Sequence, residues 1–521
     1  MSTASAPPSG TSPWGLVLCL TFLAAATFYV KQFVWHPLAP YPGPLLGRCS
    51  NLYAAYHAWR GTVHTDMYRC HRKYGPIVRY GPSRIVVDTN TAAKGRQMTL
   101  DIYSHGANVS KAPAYSVLSH GAPSIITLRN KEEHSWRRRV LSFALSDATI
   151  TSYESTIRKH LDRLCGILRE SIQVEEEPLD MSRQCDYYTF DVMSEVIFGI
   201  DHNALQQSTY RYAVKALADS NVRLGALFQA PSLATARLDR YLFPTAIQGR
   251  HKFVGFLGSL LRKRATAPRP QGGDVFSFLE TAEDTDGGKA LDKSQIRAEC
   301  AALVVAGSDT SSTTLSATLF YLSRNPKTYR RAADEVRAYF TAAEEISTGP
   351  RLSSCFYLRS CVDEALRMSP PVGAAPWREV GTGGIRLGSL ELPAGVEVGT
   401  GIYSLHHNET YHSDPFEYKP ERWIADEGGS TKESVELSRS AFIPFSRGPR
   451  SCVGKGFAYH QVTLALARIL CEFDFCAAQE PAPKGKTGEG GSQGTAEFRL
   501  RDHVTGAKQG PVLRFRLRGR P

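Results

Sequence analysis

A cysteine beside the start of an apolar helix is the residue in this 521-residue chain whose setting most favours metal chemistry. Cys452 lies in residues 445–454 (FSRGPRSCVG), a loop punctuated by glycine and proline that leads into an apolar helical pattern. Backbone amides and the positive end of a helix dipole lower the pKa of a thiol, and a metal-ligating cysteine must be a thiolate. The loop therefore predicts a metal-ligating thiolate. A buried, inert cysteine would be the favoured alternative if this motif stood alone.

A second polar motif lies inside the apolar stretch of residues 301–322. Residues 306–311 (AGSDTS) place Asp309 and Thr310 beside Gly307. A threonine hydroxyl in a helix can donate to the carbonyl oxygen four residues earlier, and a neighbouring glycine lets the helix open locally. The alternative is a buried helix rich in serine and threonine with a surface aspartate.

Two charged motifs follow. Glu364 and Arg367 are three residues apart in residues 364–367 (EALR), so they share one face of a helix. A proline-rich turn comes next, and Arg422 lies about fifty residues further on, in residues 420–423 (PERW). Such a pair, taken alone, is most often a solvated surface ion pair.

These four motifs together resemble the cytochrome P-450 family. Residues 445–454 match F-x-x-G-x-R-x-C-x-G at every defined position, and residues 306–311 resemble A/G-G-x-D/E-T-T/S of the family's long distal helix. Residues 364–367 and 420–423 resemble its E-x-x-R and P-E-R-F/W elements. The resemblance covers roughly residues 40–516. It implies the cytochrome P-450 fold, mainly α with a small β portion, and haem b as cofactor.

The resemblance also implies roles for the residues of the first two motifs. Cys452 is then the proximal iron ligand, Arg450 pairs with a haem propionate, and Phe445 packs beside the sulfur. Thr310 and Asp309 are then the pair that delivers protons during oxygen activation.

The charged motifs and a further arginine take structural and propionate-binding roles under the same resemblance. Glu364, Arg367 and Arg422 are expected to form a buried charge network that braces the haem side of the core. Removing one partner would leave an uncompensated buried charge. Arg378, which follows residues 376–377, stands where the family usually carries a propionate-binding arginine.

A run of three arginines leaves the remaining propionate contacts open. Residues 134–142 (HSWRRRVLS) resemble the family's W/H-x-x-x-R helix, which aligns His134 and Arg138 with the propionates. Arg137 or Arg139 could be the contact instead, because the tryptophan of this segment comes two residues later than usual.

The elements that position these motifs follow from local patterns. Alternating and helical spacing predict a hairpin of residues 77–80 and 84–87, mainly helix over 132–370, short strands over 376–403, a helix over 454–475, and a mobile surface loop over 478–495.

An N-terminal apolar segment predicts a membrane anchor. Residues 14–30 contain no charge, and 17 residues just reach the lower limit for a spanning helix. A cleaved signal peptide is the alternative, but no Lys or Arg precedes the segment. We expect an anchor over residues 1–35, a Pro-rich hinge over 36–44, and one haem-thiolate monooxygenase domain over 45–521.

Charge after the anchor predicts its orientation. Lys31, Arg48 and Arg60 follow the apolar segment, which favours a cytosolic location for the rest of the chain. We therefore expect a single-pass protein of the endoplasmic reticulum membrane whose catalytic domain faces the cytosol.

Composition narrows the class of partner. The net charge of +12 suits nucleic acid, an anionic membrane or an acidic protein. No zinc-finger spacing, basic region with heptads or aromatic RNA-binding signature is present, so we expect no nucleic acid. The 11 cysteines include no Cys-x-x-Cys pair, which argues against a zinc site or a disulfide scaffold.

The chain carries no Rossmann fingerprint or flavin-binding region, so the resemblance implies electrons from NADPH through a separate cytochrome P-450 reductase, with cytochrome b5 as a further candidate partner. Arg137, Arg139, Arg447 and Lys455 could face that acidic partner. A solvated basic surface is the alternative.

The expected substrate is a lipophilic small molecule, a secondary metabolite of terpenoid, polyketide or alkaloid type, as in fungal microsomal members of the family. Its predicted cavity is bounded by residues 103–126, 305–310 and 372–376, and left roomy by Ala306, Ala374 and Ala375. Two alternatives remain: a haem-thiolate isomerase or dehydratase that works without a reductase, and a non-catalytic protein with vestigial motifs.

Overall fold

The computed structural model describes residues 13–88, 98–119, 121–174, 177–266, 273–282, 290–478 and 497–519. Its longer helices are Pro13–Tyr29, Leu52–Arg60, Val63–Tyr74, Lys131–Ala144, Glu154–Gln173, Met181–Phe198, Arg211–Gln229, Pro244–Thr266, Lys293–Arg324, Pro326–Tyr339, Phe356–Met368, Lys432–Ala441 and Lys455–Glu472. Its shorter α-helices are Leu45–Cys49, Met98–Tyr103, Asp147–Ser152, Ser232–Thr235, Asp239–Leu242, Val275–Thr281, Pro350–Ser353 and Ile402–His406.

A helix that crosses the interior organises the fold. This distal helix, Lys293–Arg324, begins at a capping box in which Asp292 accepts from the Gln295 amide and the Gln295 side chain accepts from the Asp292 amide. Its apolar residues are buried on most sides, which is the pattern of a helix in the core of a large protein. It packs against Met181–Phe198 and Phe356–Met368. Residues 306–311 are thereby carried to the middle of the molecule.

The β portion of the described residues is small and is divided among four sheets. The strands are Ile77–Gly81, Arg84–Val87, Val109–Lys111, Leu179–Asp180, Arg378–Val380, Ile385–Leu387, Leu390–Leu392, Glu397–Thr400, Phe473–Ala477, Leu500–His503, Thr505–Lys508 and Val512–Leu517. Five of them form one sheet, in the order Ile77–Gly81, Arg84–Val87, Glu397–Thr400, Arg378–Val380 and Val109–Lys111.

The predicted fold class is confirmed: the chain is mainly helical with a small β portion and one N-terminal apolar helix. The predicted hairpin is present, with Ile77 opposite Val87 in antiparallel register. The helix predicted over 454–475 ends earlier, at Glu472. Residues 473–477 are a strand, because Phe473 and Phe475 alternate inward against Val512–Leu517. The loop predicted over 478–495 lies, beyond residue 478, outside the described residues.

The N-terminal helix continues through a π-helical turn, Val30–Val34. Residues Leu16–Val34 are long and apolar enough to cross a membrane, and few of them are buried in the protein. The Pro-rich segment after them packs against the rest of the protein: Leu38 is fully buried, and the Arg79 amide donates to the Pro42 carbonyl over 2.8 Å. The division into anchor, hinge and catalytic domain stays a prediction.

Candidate active site

A cavity of about 330 Å³ separates the distal helix from the loop that precedes Lys455–Glu472. Of the 11 cysteines, Cys452 is the one that lines it. The loop folds back on itself because the Cys452 amide donates to the Phe445 carbonyl over 2.9 Å. Gly448 has φ +69°, and a Cβ there would lie 1.8 Å from the Tyr103 carbonyl oxygen. The loop can therefore close only with glycine at position 448.

The thiol of Cys452 opens into this cavity rather than into the protein core. Burial raises the pKa of the Cys452 thiol, and a hydrogen bond from the Gly454 amide and the charges of Arg138 and Lys455 only partly oppose this rise. The hydrogen bond from the Gly454 amide acts in the direction expected of the loop, and burial without a bound ion outweighs it. A metal ion bound here would deprotonate the thiol that coordinates it.

One end of the cavity is strongly basic. The side chains that converge there are Lys111, His134, Arg138, Arg378 and Arg450, and no carboxylate lines the cavity among the described residues. Burial, followed by the charges of Arg450 and Lys111, lowers the pKa of His134 to about 3. Burial and the charge of Arg378 lower the pKa of Arg450 to about 10. The Lys and Arg side chains of this group repel one another when they are charged, so they are suited to binding anionic groups such as two carboxylates.

Each of these arginines is fixed by backbone carbonyls. Arg450 donates to the Leu128 carbonyl over 2.7 Å, and Arg138 donates to the Ser451 carbonyl over 2.5 Å. Arg378 donates to the Pro376 carbonyl over 3.1 Å and lies over the Tyr103 ring. The guanidinium groups are therefore held in place at the cavity wall.

Lys111 was not predicted from the sequence. Its ammonium group is buried, donates to the Ile125 carbonyl over 2.9 Å and lies 5.1 Å from the centre of the Tyr115 ring. Desolvation, followed by the charge of Arg378, lowers its pKa well below the usual value. The only sequence signal is a lone lysine in an otherwise uncharged segment between two turns.

The three consecutive arginines of helix Lys131–Ala144 have three different surroundings. Arg138 lines the cavity, and Arg139 is exposed. Arg137 is buried and donates to Glu299 over 2.9 Å and to Glu133 over 2.7 Å. Arg137 is therefore neither a propionate contact nor part of an exposed docking surface, and both expectations for it are wrong.

Thr310 and Asp309 face different surroundings. The Thr310 hydroxyl lines the cavity and donates to the Ala306 carbonyl over 2.6 Å. The Asp309 carboxylate accepts from Thr505 on the other side of the helix and lies 3.7 Å from the Lys508 ammonium. Burial raises the pKa of Asp309, although Lys508 opposes that rise. Only Thr310 of the expected pair reaches the cavity.

The distal helix is not interrupted at Gly307, so the local opening expected there is absent. A Cβ at Gly307 would lie 2.4 Å from the terminal methyl carbon of Met193. The glycine therefore serves close packing of the distal helix against Met181–Phe198.

The three charged side chains of the predicted network contact one another, and none of them lines the cavity. Arg367 donates to both oxygens of Glu364 over 2.8 and 2.9 Å, and Arg422 donates to the same carboxylate over 3.3 Å. Trp423 and the Lys419 amide complete the partners of this carboxylate. Arg367 also donates to the carbonyls of residues 406 and 415 over 2.9 and 2.7 Å. All three charged side chains are at most 4% exposed.

The remaining cavity walls are apolar, as the substrate prediction requires. Of the expected boundaries, Tyr115, Ile125, Ala306, Val372 and Pro376 line the cavity. Ala374 and Ala375 do not, because they pack in a core cluster with Trp377 instead. The expectation that Ala374 and Ala375 leave the cavity roomy is therefore wrong.

The donor set fits a haem. A thiol opening into the cavity can ligate iron, apolar walls suit a porphyrin, and the basic end suits its two propionates. Phe445 stands at the cavity wall beside the loop and packs against the Tyr459 ring, 5.0 Å away between centres. A haem held through cysteine thiolate defines a haem-thiolate protein.

Comparison with known proteins agrees with this class. The sequence profile of the family described as cytochrome P-450 matches residues 37–498. The chain is 60% identical to the cytochrome P-450 monooxygenase apf8 of Gibberella fujikuroi, over 70% of this chain and all of that protein. It is 42% identical to the monooxygenases poxM of Penicillium oxalicum (96% of this chain, 95% of that protein) and AKT7 of Alternaria alternata (96% and 98%).

The chain therefore belongs to the cytochrome P-450 family, and it is a cytochrome P-450 monooxygenase. Haem is the cofactor that membership of this family implies.

Proposed function

We propose that this monooxygenase hydroxylates or otherwise oxidises a lipophilic small molecule, using molecular oxygen and electrons that NADPH supplies through a separate reductase. The observation that carries the proposal is the composition of the cavity. The Cys452 thiol, the Thr310 hydroxyl, many apolar side chains and a group of basic side chains all line the same space. The substrate class we favour is a secondary metabolite of terpenoid, polyketide or alkaloid type. Spectral titration of the ferric protein with a panel of such compounds tests it: tight binding confined to hydrophilic compounds would contradict it.

Cys452 would hold the haem iron, and Arg138, Arg378, Arg450, His134 and Lys111 would hold the propionates. When bound, the haem supplies the activation of oxygen, while the protein supplies ligand, orientation and exclusion of water. Each of these side chains is already fixed on a backbone carbonyl or buried at the wall, so little side-chain ordering remains to be done on binding.

Thr310 is proposed to hold a proton at its hydroxyl oxygen, at the cavity surface on the oxygen-binding side. Asp309 is proposed as the second member of this relay. It would have to leave Thr505 and Lys508 to reach Thr310, so Thr310 is the residue that the experiment addresses.

Thr310→Ala is expected to separate electron consumption from product formation. Positioned proton transfer contributes about 10²–10⁴-fold, and we expect product formation to fall by about 10²-fold while NADPH consumption continues. Product and NADPH are measured together in the reconstituted system. Thr318→Ala is the matched control, because Thr318 makes the same helical hydrogen bond, to the Thr314 carbonyl over 2.8 Å, away from the cavity. Equal loss of product in both variants would exclude this role for Thr310.

The reductase is proposed to dock on the side of the protein that carries the Cys452 loop. Arg139 and Lys455 are exposed there, and Arg447 is half-buried, with its guanidinium donating to the Arg439 carbonyl. Lys455 and the exposed Phe356 both line a surface cavity of about 570 Å³. An acidic partner would be attracted by this charge, and the attraction would be screened by salt.

Arg139→Glu is expected to raise the KM for reductase severalfold and to reduce the salt dependence of turnover, since a charge at an interface rim acts mainly on association. Arg386→Glu is the control: Arg386 is 74% exposed in the hairpin of residues 385–392. Steady-state titration with reductase at two ionic strengths measures both effects. If the two variants behave alike, the exposed cations near the Cys452 loop are only a solvated surface.

An isomerase or dehydratase that needs no reductase is the second candidate. The placement of Thr310 in the cavity favours the monooxygenase, since the isomerase and dehydratase reactions need no proton delivery to oxygen. Product formation from a peroxide substrate without NADPH would support this alternative instead.

The proposed location is the endoplasmic reticulum membrane, with a single spanning helix and the catalytic domain in the cytosol. The apolar helix that could cross a membrane and Lys31, Arg48 and Arg60 after it support this orientation.

A further inference from the structure

The C-terminal hairpin, made of strands Leu500–His503 and Thr505–Lys508, packs against the distal helix. Its Gly506 carbonyl accepts from the Thr313 hydroxyl of that helix over 3.1 Å. None of residues 500–508, which the structure describes in full, lines the active-site cavity. The hairpin can therefore act on a ligand in the cavity only through the residues that it contacts.

The Asp502 carboxylate connects this hairpin to a turn at the cavity wall. Its Oδ2 atom accepts from the Gly373 amide over 3.2 Å and from the Ala374 amide over 2.8 Å. The two preceding residues, Pro371 and Val372, line the cavity. One side chain thus holds two consecutive amides directly after the residues that form this part of the wall.

The same turn is also fixed by neighbours on its other sides. The Gly373 carbonyl accepts from the Tyr403 amide over 2.9 Å. A Cβ at position 373 would lie 2.8 Å from the His64 Cβ atom, so the turn has no room for a larger residue there. Because the turn is closely packed, its position depends on the positions of these partners.

Asp502 is a buried carboxylate that forms no ion pair with any residue that the structure describes. Only 4% of its surface is exposed. Burial raises the pKa of the Asp502 carboxyl to about 6, and hydrogen bonds from the amides of residues 374, 373 and 504 oppose that rise. A buried polar group costs stability unless it is hydrogen-bonded, so these amides are the partners that permit its burial.

The tip of the hairpin is constrained as well. His503 pairs with Thr505, so Val504 alone forms the turn, and its φ of +84° lies in the left-handed region. A β-branched residue rarely adopts this conformation, which persists only where surrounding contacts hold it. The Val504 amide stabilises the Asp502 carboxylate. Asp502 therefore joins a constrained hairpin tip to the cavity turn.

We propose that Asp502 is a positioning residue for the active site, which holds the turn of residues 371–374 and thereby determines where Val372 stands in the cavity and which ligands fit there. This inference goes beyond the proposed function, because it concerns the shape of the cavity wall and depends on neither the substrate class nor the reductase. A displacement of about 1 Å at a reacting site can change a rate about 10²-fold, so a small shift of the turn is sufficient.

Spectral titration of the full-length ferric protein with 1-alkylimidazoles tests the proposal without a substrate. The imidazole ring binds the iron, and the alkyl chain, from methyl to dodecyl, reaches progressively further along the cavity. We expect Asp502→Ala to change the ratio of the dodecyl to the methyl dissociation constant by about tenfold. Asp502→Asn is expected to keep the wild-type ratio, because its amide oxygen can accept the same two hydrogen bonds.

Asp191→Ala is the matched control. Asp191 is fully buried and also accepts from two consecutive amides, those of residues 204–205, over 2.8 and 3.0 Å. Neither of these two residues lines the cavity. Hydrogen exchange should become faster in each variant in the segment that contains its own pair of amides. The ratio of dissociation constants should change in Asp502→Ala and stay unchanged in the control.

A double-mutant cycle shows whether Asp502 acts through the wall. Val372→Ala shortens the side chain that the turn presents, so Asp502→Ala should have little further effect on the ratio in that background. An unchanged ratio in Asp502→Ala, an equal change in Asp191→Ala, or additive effects in the cycle would each overturn the proposal.

Two further measurements separate this proposal from misfolding and from the proposed function. If Asp502→Ala does not accumulate, Asp502→Glu replaces it, because glutamate keeps the carboxylate while its extra methylene displaces the turn; an unchanged ratio there also overturns the proposal. A wild-type protein that gives no imidazole spectrum would contradict the proposed haem site. The hold of Asp502 on the turn is then decided by hydrogen exchange alone, and unchanged exchange in residues 371–376 overturns it.

Discussion

Cys452→Ser is expected to abolish monooxygenase turnover in a protein that still folds. Serine retains the size and polarity of the side chain, but its hydroxyl does not supply the thiolate that favours cleavage of the O–O bond. The Cys452 side chain opens into the active-site cavity and is not part of a core cluster, so its loss leaves no void in the packing. Product formation with NADPH and reductase is the first measurement, and thermal unfolding of the same sample is the second.

Cys476→Ser is the matched control for this substitution. Cys476 is also an exposed thiol, but it lies on strand Phe473–Ala477 and does not line the cavity. We expect the control to keep wild-type turnover. Substantial product formation by Cys452→Ser would show that the sulfur at position 452 is not the iron ligand.

Arg367→Met is expected to have the largest effect on stability. The substitution removes the bidentate partner of Glu364, which is fully buried, and leaves that carboxylate with Arg422 at 3.3 Å as its nearest cation. It also removes the donors that reach the carbonyls of residues 406 and 415. Breaking a buried ion pair in this way costs about 3–5 kcal/mol. A typical protein is stable by about 5–15 kcal/mol, so this loss removes a large part of the stability, and the yield of folded, haem-loaded protein should fall.

The measurements are the yield of haem-loaded protein and its apparent unfolding temperature. Arg359→Met is the control in the same helix, because Arg359 is 43% exposed and pairs with Asp363 over 3.3 Å. This pair is partly exposed to solvent, which screens it, so its loss should cost much less than loss of the fully buried pair and the control should accumulate normally. Normal yield and unfolding temperature for Arg367→Met would show that the network does not brace the haem side of the core.

Local sequence patterns predicted the elements that carry the site. The hairpin at residues 77–87 and the distal helix follow from spacing, because each depends on near neighbours along the chain. The charge network joins Glu364 to Arg422, 58 residues away, and was expected only from the family resemblance. The first three residues of strand Phe473–Ala477 fall within the helix predicted over 454–475. Its alternating burial is fixed by pairing with Val512–Leu517, and that partner is distant in sequence.

The side chains that the sequence misplaced depend on tertiary contacts. Successive residues of a helix point about 100° apart, so the arginine run could not show that Arg138 faces the cavity while Arg137 meets Glu299. Asp309 turns to Thr505 because the C-terminal hairpin of residues 500–508 packs behind the distal helix. Lys111 joins the basic end only when strand Val109–Lys111 pairs with Arg378–Val380.

The absorption spectrum of the reduced protein under carbon monoxide gives the sharpest test of iron ligation by Cys452. We predict a Soret band at the long wavelength characteristic of carbon monoxide opposite a thiolate in the wild type, and loss of that band in Cys452→Ser. A wild-type band at the position of an imidazole or neutral thiol ligand, or the same long-wavelength band in the variant, would contradict ligation by this residue.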